Sequence, residues 1–321
     1  MELRVRLPPY TRLMRRTADL TRVEAALDAW AHRHLAEEFG ARGARRVWVE
    51  FLVFTLKQAW ACVFGALMLA ALVATALWYP DGAALSRNDA LVLIAVTIQV
   101  LMVALRLESG RELWVIILFH LVGTVMELFK TAAGSWEYGG AGVLAIGAVP
   151  LYTGFMYAAV GSYMVRVFKL FDLRFVRYPP LWLTAVIGAA IYANFFTHHF
   201  LPDARWVLLA AVVLVWGRCI MLFRNHRDRP ARRLPILLPF LGVAFFIWIA
   251  ENIGTAAGAW IYPHQEGGWE IVSQSKMVSW FLLMIISVVL VTFVYRPRPP
   301  EVAAATVSAP SPATDVPRSD R

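Results

Sequence analysis

Eight apolar segments, each long enough to cross a lipid bilayer as a helix, constrain this sequence more than any other feature. A helix rises about 1.5 Å per residue, so roughly 20 apolar residues cross a hydrocarbon layer of about 30 Å. Lipid offers no hydrogen-bond partners to free backbone groups, which favours helices. The segments are 51–78, 89–105, 113–134, 143–167, 181–200, 206–223, 234–260 and 277–295. They predict an all-α, polytopic membrane helix bundle with about eight transmembrane helices.

The composition agrees with this class, because 59% of the 321 residues are hydrophobic and only 17% are charged. The net charge of +9 comes from arginines in short segments between apolar runs, so we expect no nucleic-acid partner. Cys62 and Cys219 both lie inside apolar runs, which gives no disulfide framework. The lipid bilayer is the expected partner, and no cofactor is predicted.

The loops between these segments alternate in charge, which predicts the orientation of the chain. Besides the N-terminal segment, the basic loops contain Arg106, Arg111, Arg166, Lys169, Arg174, Arg177, Arg224, Arg227, Arg229, Arg232, Arg233, Arg296 and Arg298. Eight crossings place all of them on one side, and basic loops stay in the cytoplasm. We therefore predict a multi-pass protein of the cytoplasmic (inner) membrane with both termini in the cytoplasm.

The two ends of the chain differ from its centre. Positions 1–50 form a polar cytoplasmic segment in which helical spacing of apolar residues predicts an amphipathic helix over 17–38. This helix would pack on the protein, on the membrane surface or on a partner. The tail 296–321 is rich in proline and poor in large apolar residues, so we predict that it is disordered.

An internal repeat indicates duplication. The pattern E-x-x-x-T-A-A-G-x-W-x-Y begins at Glu127 and again at Glu251, and its seven defined positions match at one offset of 124 residues. The same offset divides the chain into two four-helix repeats, 51–170 and 171–295. An even number of crossings restores orientation, so the repeats are predicted to be parallel.

This arrangement predicts an outward-facing polar and aromatic site between the repeats. The third, fifth and seventh helices run in the same direction, which brings their polar residues to one half of the membrane. The substrate-binding candidates are His120, Thr131, Trp136, Tyr138, Tyr152, Tyr157, Asn194, His198, His199, Thr255, Trp260, Tyr262 and Lys276.

Glu127 and Glu251 are the candidates for catalysis or proton coupling. A carboxylate near the bilayer centre costs about 2.5 to 3.5 kcal/mol, so it needs a partner or a proton. A structural hydrogen-bond network explains the two residues as well as a functional role does. Gly134 and Gly258 stand where helix C-caps are expected, so their role is predicted to be structural.

No metal site is predicted. His198, His199 and His264 are minority candidates, but they lack the spacing of a metal-binding motif, and the side chains of adjacent residues on a helix point about 100° apart. The sequence also has no P-loop, dinucleotide-binding fingerprint or nucleophile elbow.

Four strings carry a family resemblance: GSWEY at 134–138, VPLYTGFMYAAVGSY at 149–163, NFFTHH at 194–199 and KMVSWFLLM at 276–284. Together they resemble the bacterial membrane family of unknown function DUF817, and the resemblance covers 51–296. It implies a bacterial cytoplasmic-membrane protein without an assigned activity. The acidic residue followed by G-x-W-x-Y is also similar, more faintly, to membrane carotenoid cyclases and hydratases, which protonate isoprenoid chains with buried acids.

Three functions remain open. The first is acid-catalysed chemistry on a lipophilic, isoprenoid-like substrate, with Glu127 or Glu251 as proton donor. The second is a transporter of small molecules, coupled to protons or cations through the same carboxylates. The third is a structural or partner-binding membrane protein, in which the motif only packs helices. The sequence does not indicate an oligomeric state.

Overall fold

The computed structural model describes residues 20–37, 44–140, 142–226 and 230–301, and this part of the chain is mainly helical. Its α-helices are α1 (Arg22–Glu37), α2 (Ala44–Ala61), α3 (Val63–Trp78), α4 (Arg87–Ala104), α5 (Gly110–Ala132), α6 (Tyr152–Leu170), α7 (Leu181–Thr197), α8 (Arg205–Trp216), α9 (Leu237–Ala256) and α10 (Lys276–Val294). Its short strands are β1 (Ala145–Ile146), β2 (Val149–Pro150), β3 (Arg174–Val176), β4 (Ile220–Phe223) and β5 (Arg232–Pro235).

Four of these helices, α4, α5, α9 and α10, are long and apolar enough to cross a membrane. Helices α2 and α3 pass the same test together, but the chain bends by 65° between them, so the pair counts as at most a fifth span. Helices α7 and α8 are apolar but shorter. The predicted segments thus contain helices, but by length and composition only four of them, or five with the bent pair, are candidate membrane spans among the described residues.

The predicted helical class is confirmed as a mostly helical fold, but short strands occupy the ends of three predicted helices, 143–167, 206–223 and 234–260. Positions 143–151 precede α6 as an antiparallel hairpin of β1 and β2, and Gly147 in its turn has a φ of +60°. The predicted sixth helix ends at Trp216, and positions 220–223 form β4 between β3 and β5. These segments satisfy their backbone groups by pairing with neighbouring strands, a solution that hydropathy does not distinguish from a helix.

The loops that were predicted to face outward contact one another. Arg87 donates a hydrogen bond to the Ala257 carbonyl oxygen at 2.8 Å. Asn88 donates to the Gly139 carbonyl oxygen at 2.7 Å. The loops that were predicted to face the cytoplasm meet elsewhere, in the three-stranded sheet and around Lys57. The Lys57 ammonium donates to the Asn225 carbonyl oxygen at 2.7 Å. The two sets of loops therefore occupy separate ends of the bundle.

Large apolar side chains are exposed on the outer faces of the long helices. Val100 on α4, Trp114 on α5 and Phe246 on α9 are exposed by 57%, 68% and 69%. Apolar surface of this extent on several helices is typical of contact with lipid.

The N-terminal segment is joined to the bundle by buried ion pairs. The predicted helix over 17–38 is found as α1, and positions 17–19 and 38 lie outside the described residues. Lys169 on α6 lies 3.2 Å from the carboxylate of Glu24 on α1 and 3.0 Å from that of Glu112 on α5, with all three side chains buried. These contacts connect α1 to two helices of the bundle. Of the predicted disordered tail, positions 302–321 lie outside the described residues.

We predict that Lys169→Met lowers the free energy of unfolding by about 3 to 5 kcal/mol, because it leaves two buried carboxylates without their cation. Thermal unfolding of the purified protein in detergent measures the loss. The control is Arg218→Met at an exposed position, which should change stability by less than about 0.5 kcal/mol. Equal stability of the two variants would contradict the ion-pair role of Lys169.

Candidate functional site

The two copies of the sequence motif have the same backbone structure. Helices α5 and α9 both end just before a glycine with positive φ, +68° at Gly134 and +63° at Gly258. The Gly134 amide donates to the Thr131 carbonyl oxygen at 3.1 Å, and the Gly258 amide to that of Thr255 at 2.9 Å. The glycines terminate their helices as predicted, and each turn directs the following Trp and Tyr back toward the Glu of its own helix.

Glu127 accepts three side-chain hydrogen bonds and is only 4% exposed. Trp136 and Tyr138 donate to Oε2 at 2.9 and 2.5 Å, and Tyr157 of α6 donates to Oε1 at 2.6 Å. Gly123 permits the approach of Tyr157, since a Cβ at this position would lie 2.4 Å from the Tyr157 ring. Both carboxylate oxygens of Glu127 are therefore occupied by donors.

Glu251 has a related but less complete network. Trp260 donates to Oε1 at 3.0 Å and Tyr262 makes a short hydrogen bond to the same oxygen. The residue 124 positions after Tyr157 is Phe281, which has no hydroxyl to donate. Within the described part of the chain, Oε2 of Glu251 accepts no hydrogen bond.

Burial keeps the two motif tyrosines protonated. Burial, followed by the nearby Glu127 carboxylate, raises the pKa of Tyr138 well above its usual value. Burial and Glu251 do the same for the pKa of Tyr262. Both hydroxyls therefore remain donors to their carboxylates across the physiological pH range.

The two motifs also contact each other. Glu137 and Ile261 form an antiparallel β-bridge, with N–H to O distances of 3.0 and 2.9 Å. Positions 137 and 261 are themselves 124 residues apart, so each motif pairs with its own counterpart. The Trp136 and Tyr262 rings meet edge to face at 6.1 Å. Equivalent positions of the two motifs contact each other, so the pairing has local two-fold symmetry.

A cavity of about 1460 Å³ opens beside the paired motifs. Its walls are mainly apolar and come from α2, α3, α6, α9 and α10, while its polar end contains both glutamates. The predicted site residues that line it are Glu127, Trp136, Tyr138, Tyr157, Asn194, His198, Glu251, Trp260, Tyr262 and Lys276.

The remaining predicted substrate-binding residues do not line this cavity. They are His120, Thr131, Tyr152, His199 and Thr255. His120 packs against Phe155 on α6, with ring centroids 4.9 Å apart. Tyr152 is fully buried and donates to the Ala259 carbonyl oxygen at 2.9 Å. The contacts of His120 and Tyr152 thus hold helices and loops together.

Lys130 is a residue of this site that sequence reasoning missed. It is 5% exposed, lines the polar end of the cavity, and its Nζ lies 3.3 Å from His198 Nε2 and 3.1 Å from His199 Nε2. The sequence signal that could have identified Lys130 is a charged residue in an apolar helix, one turn after Glu127. The second motif has Gly254 at this position.

His198 and His199 would point apart only if the helix continued through them, and it ends before them. Helix α7 ends at Thr197, and the two imidazole rings lie 4.2 Å apart as they face Lys130. Burial, the positive charge of Lys130 and His198 lower the pKa of His199, which favours its neutral form.

The histidines do not form a metal centre with other ligands. Across the described ranges, no group of three or more His, Cys, Asp or Glu residues is placed to hold a metal ion. His264 instead stacks on the Tyr262 ring, with centroids 5.7 Å apart. The minority metal site therefore gains no support from the geometry.

We predict that Tyr157→Phe lowers the free energy of unfolding by about 1.5 to 3 kcal/mol, because a charged acceptor loses a donor. The matched control on the same helix is Tyr163→Phe, whose hydroxyl donates to the neutral Gln58 side chain at 3.2 Å. This control should cost about 0.5 to 1.5 kcal/mol. Denaturation in detergent compares the two, and a larger loss in the control would argue against an ionised Glu127.

The fold and site define a helical protein with several membrane-compatible apolar helices around an apolar cavity. Residues 50–288 match the family described as "Protein of unknown function (DUF817)". The chain is 42% identical over 238 residues to "Uncharacterized protein YoaT" of Bacillus subtilis (strain 168), covering 74% of this chain and 89% of that protein. The chain belongs to the DUF817 family. No solved structure matches, and these findings do not support the fainter resemblance to carotenoid cyclases.

Proposed function

We propose that this chain is a multi-pass protein of the bacterial cytoplasmic membrane that binds and converts a lipophilic substrate in the cavity beside the paired motifs. The observation that carries the proposal is the cavity itself, whose long apolar walls end at two buried carboxylates surrounded by Trp and Tyr rings. Concave, mainly apolar sites with a few convergent polar groups are typical of ligand binding.

The helix contacts support two parallel four-helix units. Helix α5 packs on α6 as α9 packs on α10, and α4 packs on α3 as α8 packs on α7. Helix α3 also contacts α6, and α7 contacts α10. Each pair corresponds to its counterpart at the 124-residue offset, and the Glu137–Ile261 bridge joins the two units. In this arrangement eight segments cross the membrane. Four of them are the candidate spans α4, α5, α9 and α10, the fifth is the bent pair of α2 and α3, and the other three are α6, α7 and α8.

The separation of the loops supports the proposed orientation. The arginine-rich loops gather at the end of the three-stranded sheet, and the motif loops gather at the opposite end. By the positive-inside rule the sheet end faces the cytoplasm, and the carboxylate end of the cavity faces outward.

Glu251 is the better candidate for a proton donor. Both of its hydrogen bonds reach Oε1, so Oε2 is left for a proton, whereas Glu127 uses both oxygens to accept hydrogen bonds. A neighbouring Trp or Tyr ring face can stabilise positive charge that develops on an isoprenoid-like chain. Glu127 then serves as the fixed structural counterpart.

We predict that Glu251→Gln abolishes conversion of the co-purifying substrate while the protein keeps binding it. Glu127→Gln should mainly reduce thermal stability, because the neutral amide is a weaker acceptor for three donors. Mass spectrometry of the bound molecule before and after incubation measures conversion. Unchanged conversion in Glu251→Gln would remove the acid-catalysis proposal.

Transport is the second candidate, and the extent of the cavity favours it. The wall runs along α10 from Lys276 to Thr292, which is roughly 24 Å at 1.5 Å per residue. It therefore approaches both ends of the bundle. Uptake into proteoliposomes that responds to a pH gradient, and that is lost in Glu251→Gln, supports coupled transport. Uptake that changes neither with the pH gradient nor in the Glu251→Gln variant contradicts it.

We predict that Gly242→Phe reduces the amount of lipophilic molecule that co-purifies with the protein. Gly242 lines the cavity on α9, and a Cβ added there meets no atom within 4 Å, so a phenyl ring at this position is expected to take up space in the cavity. The control is Gly110→Phe, which also meets open space but lies outside the cavity. Extraction from lipid nanodiscs followed by mass spectrometry gives the comparison, and equal retention in the two variants would count against binding in this cavity.

A further inference from the structure

The polar end of the cavity contains two lysines without a carboxylate partner. Lys130 is buried, and the groups that contact its ammonium are the imidazoles of His198 and His199 and the Phe195 ring. Lys276 lies over the Tyr262 ring at 3.8 Å and within 5.9 Å of the Trp136 ring. In the described part of the chain, no carboxylate oxygen lies within 4 Å of either ammonium.

The acidic groups around these lysines accept hydrogen bonds from other residues, and the one oxygen left over, Oε2 of Glu251, forms no ion pair with Lys276. Glu127 accepts from Trp136, Tyr138 and Tyr157, and Glu251 accepts from Trp260 and Tyr262, as described above. The Asp203 carboxylate is bound by Arg205 and accepts from Asn194 at 3.1 Å. Hydrogen bonds from Asn194 and Arg205 outweigh the effect of burial and lower the pKa of Asp203. With Glu251 protonated, as proposed above, the cations Lys130, Lys276 and Arg205 outnumber the carboxylates Glu127 and Asp203 among the described residues that line this end of the cavity.

The histidines orient Lys130 without neutralising it. His198 Nδ1 lies 2.9 Å from the Asn194 carbonyl oxygen, to which it donates. Its Nε2 is then an acceptor, 3.3 Å from the ammonium. An ammonium has three N–H donors. His198 and His199 use two of them, and the third remains for a ligand in the cavity.

The cavity beyond this cationic end is long and apolar. Its wall along α10 includes Leu283, Met284, Val288 and Val291. A ligand that fills it must combine a long apolar chain with a head group that the lysines can bind. Buried charge is stable only when it is paired, so this head group carries a negative charge.

We propose that the cavity binds a long-chain amphiphile with an anionic phosphate or carboxylate head, which Lys130 and Lys276 hold at the outward end. This inference rests on the proposed function, because it names the substrate class of the same cavity. The neutral chain alone should bind more weakly than the same chain with its anionic head.

The test measures binding of farnesyl phosphate and of farnesol to the full-length protein in detergent, by quenching of tryptophan fluorescence. Loss of one charge-assisted contact corresponds to a change of about tenfold or more in affinity. We expect farnesyl phosphate to bind at least tenfold more tightly than farnesol, and Lys130→Met and Lys276→Met each to weaken its binding by at least tenfold. Neither variant should change the binding of farnesol.

Further variants and probes separate charge from folding and phosphate from carboxylate. Lys130→Arg and Lys276→Arg should restore most of the preference, and the exposed control Arg218→Met should leave it unchanged. If Lys130→Met does not fold, the affinity of Lys276→Met for farnesyl phosphate alone tests the role of the lysines. Dodecyl phosphate and dodecanoate distinguish the two head groups. The affinity of each is compared with that of dodecanol, and the compound with the larger increase has the head group that the lysines prefer.

Two negative results have different meanings. Equal binding of farnesyl phosphate and farnesol, unaffected by either lysine variant, overturns the anionic head group and leaves the proposed lipophilic cavity intact. Failure of every long-chain probe to bind the folded protein contradicts the proposed function itself.

Discussion

The hydrogen bonds that Glu127 and Glu251 accept from a Trp and a Tyr beyond the end of their own helices organise the end of the bundle at which the two motifs lie. A carboxylate buried among apolar helices needs donors, and each motif supplies them within twelve residues. The glycine turn makes this possible by reversing the chain after the helix. The two reversed segments can then pair through Glu137 and Ile261 and form the polar end of the cavity.

Differences between the two motifs give the cavity its chemical asymmetry. At the 124-residue offset, Lys130 corresponds to Gly254, Tyr157 to Phe281 and Tyr152 to Lys276. The first motif therefore has a fully bonded carboxylate and a buried ammonium. At Gly254 the Trp260 ring occupies the space, since a Cβ there would lie 2.2 Å from it. The two motifs thus share a backbone structure but differ in the side chains that surround their carboxylates.

The accuracy of the sequence predictions differed between regular and irregular elements. The helices were predicted from the long apolar segments, and the glycine caps were predicted from the motif. Both features depend on local periodicity and backbone conformation. The bend at Cys62 and strand β4 were missed because apolar composition is the same in a straight helix, a broken helix and a buried strand. Among the site residues, the motif Trp and Tyr were found from their spacing. Lys130 was missed because its role depends on histidines about 70 positions away.

The sequence by itself determined the family, the apolar helices, the two motifs and the charge asymmetry of the loops, since each is a property of short segments. Only the tertiary structure decided which polar residues meet. It directed Tyr157 to Glu127, brought His198 and His199 together on Lys130, and gave Oε2 of Glu251 no donor among the residues that the structure describes. Such contacts depend on how closely neighbouring helices pack, as at Gly123, where a Cβ would lie 2.4 Å from the Tyr157 ring. Periodicity along one helix does not encode the side chains of its neighbours.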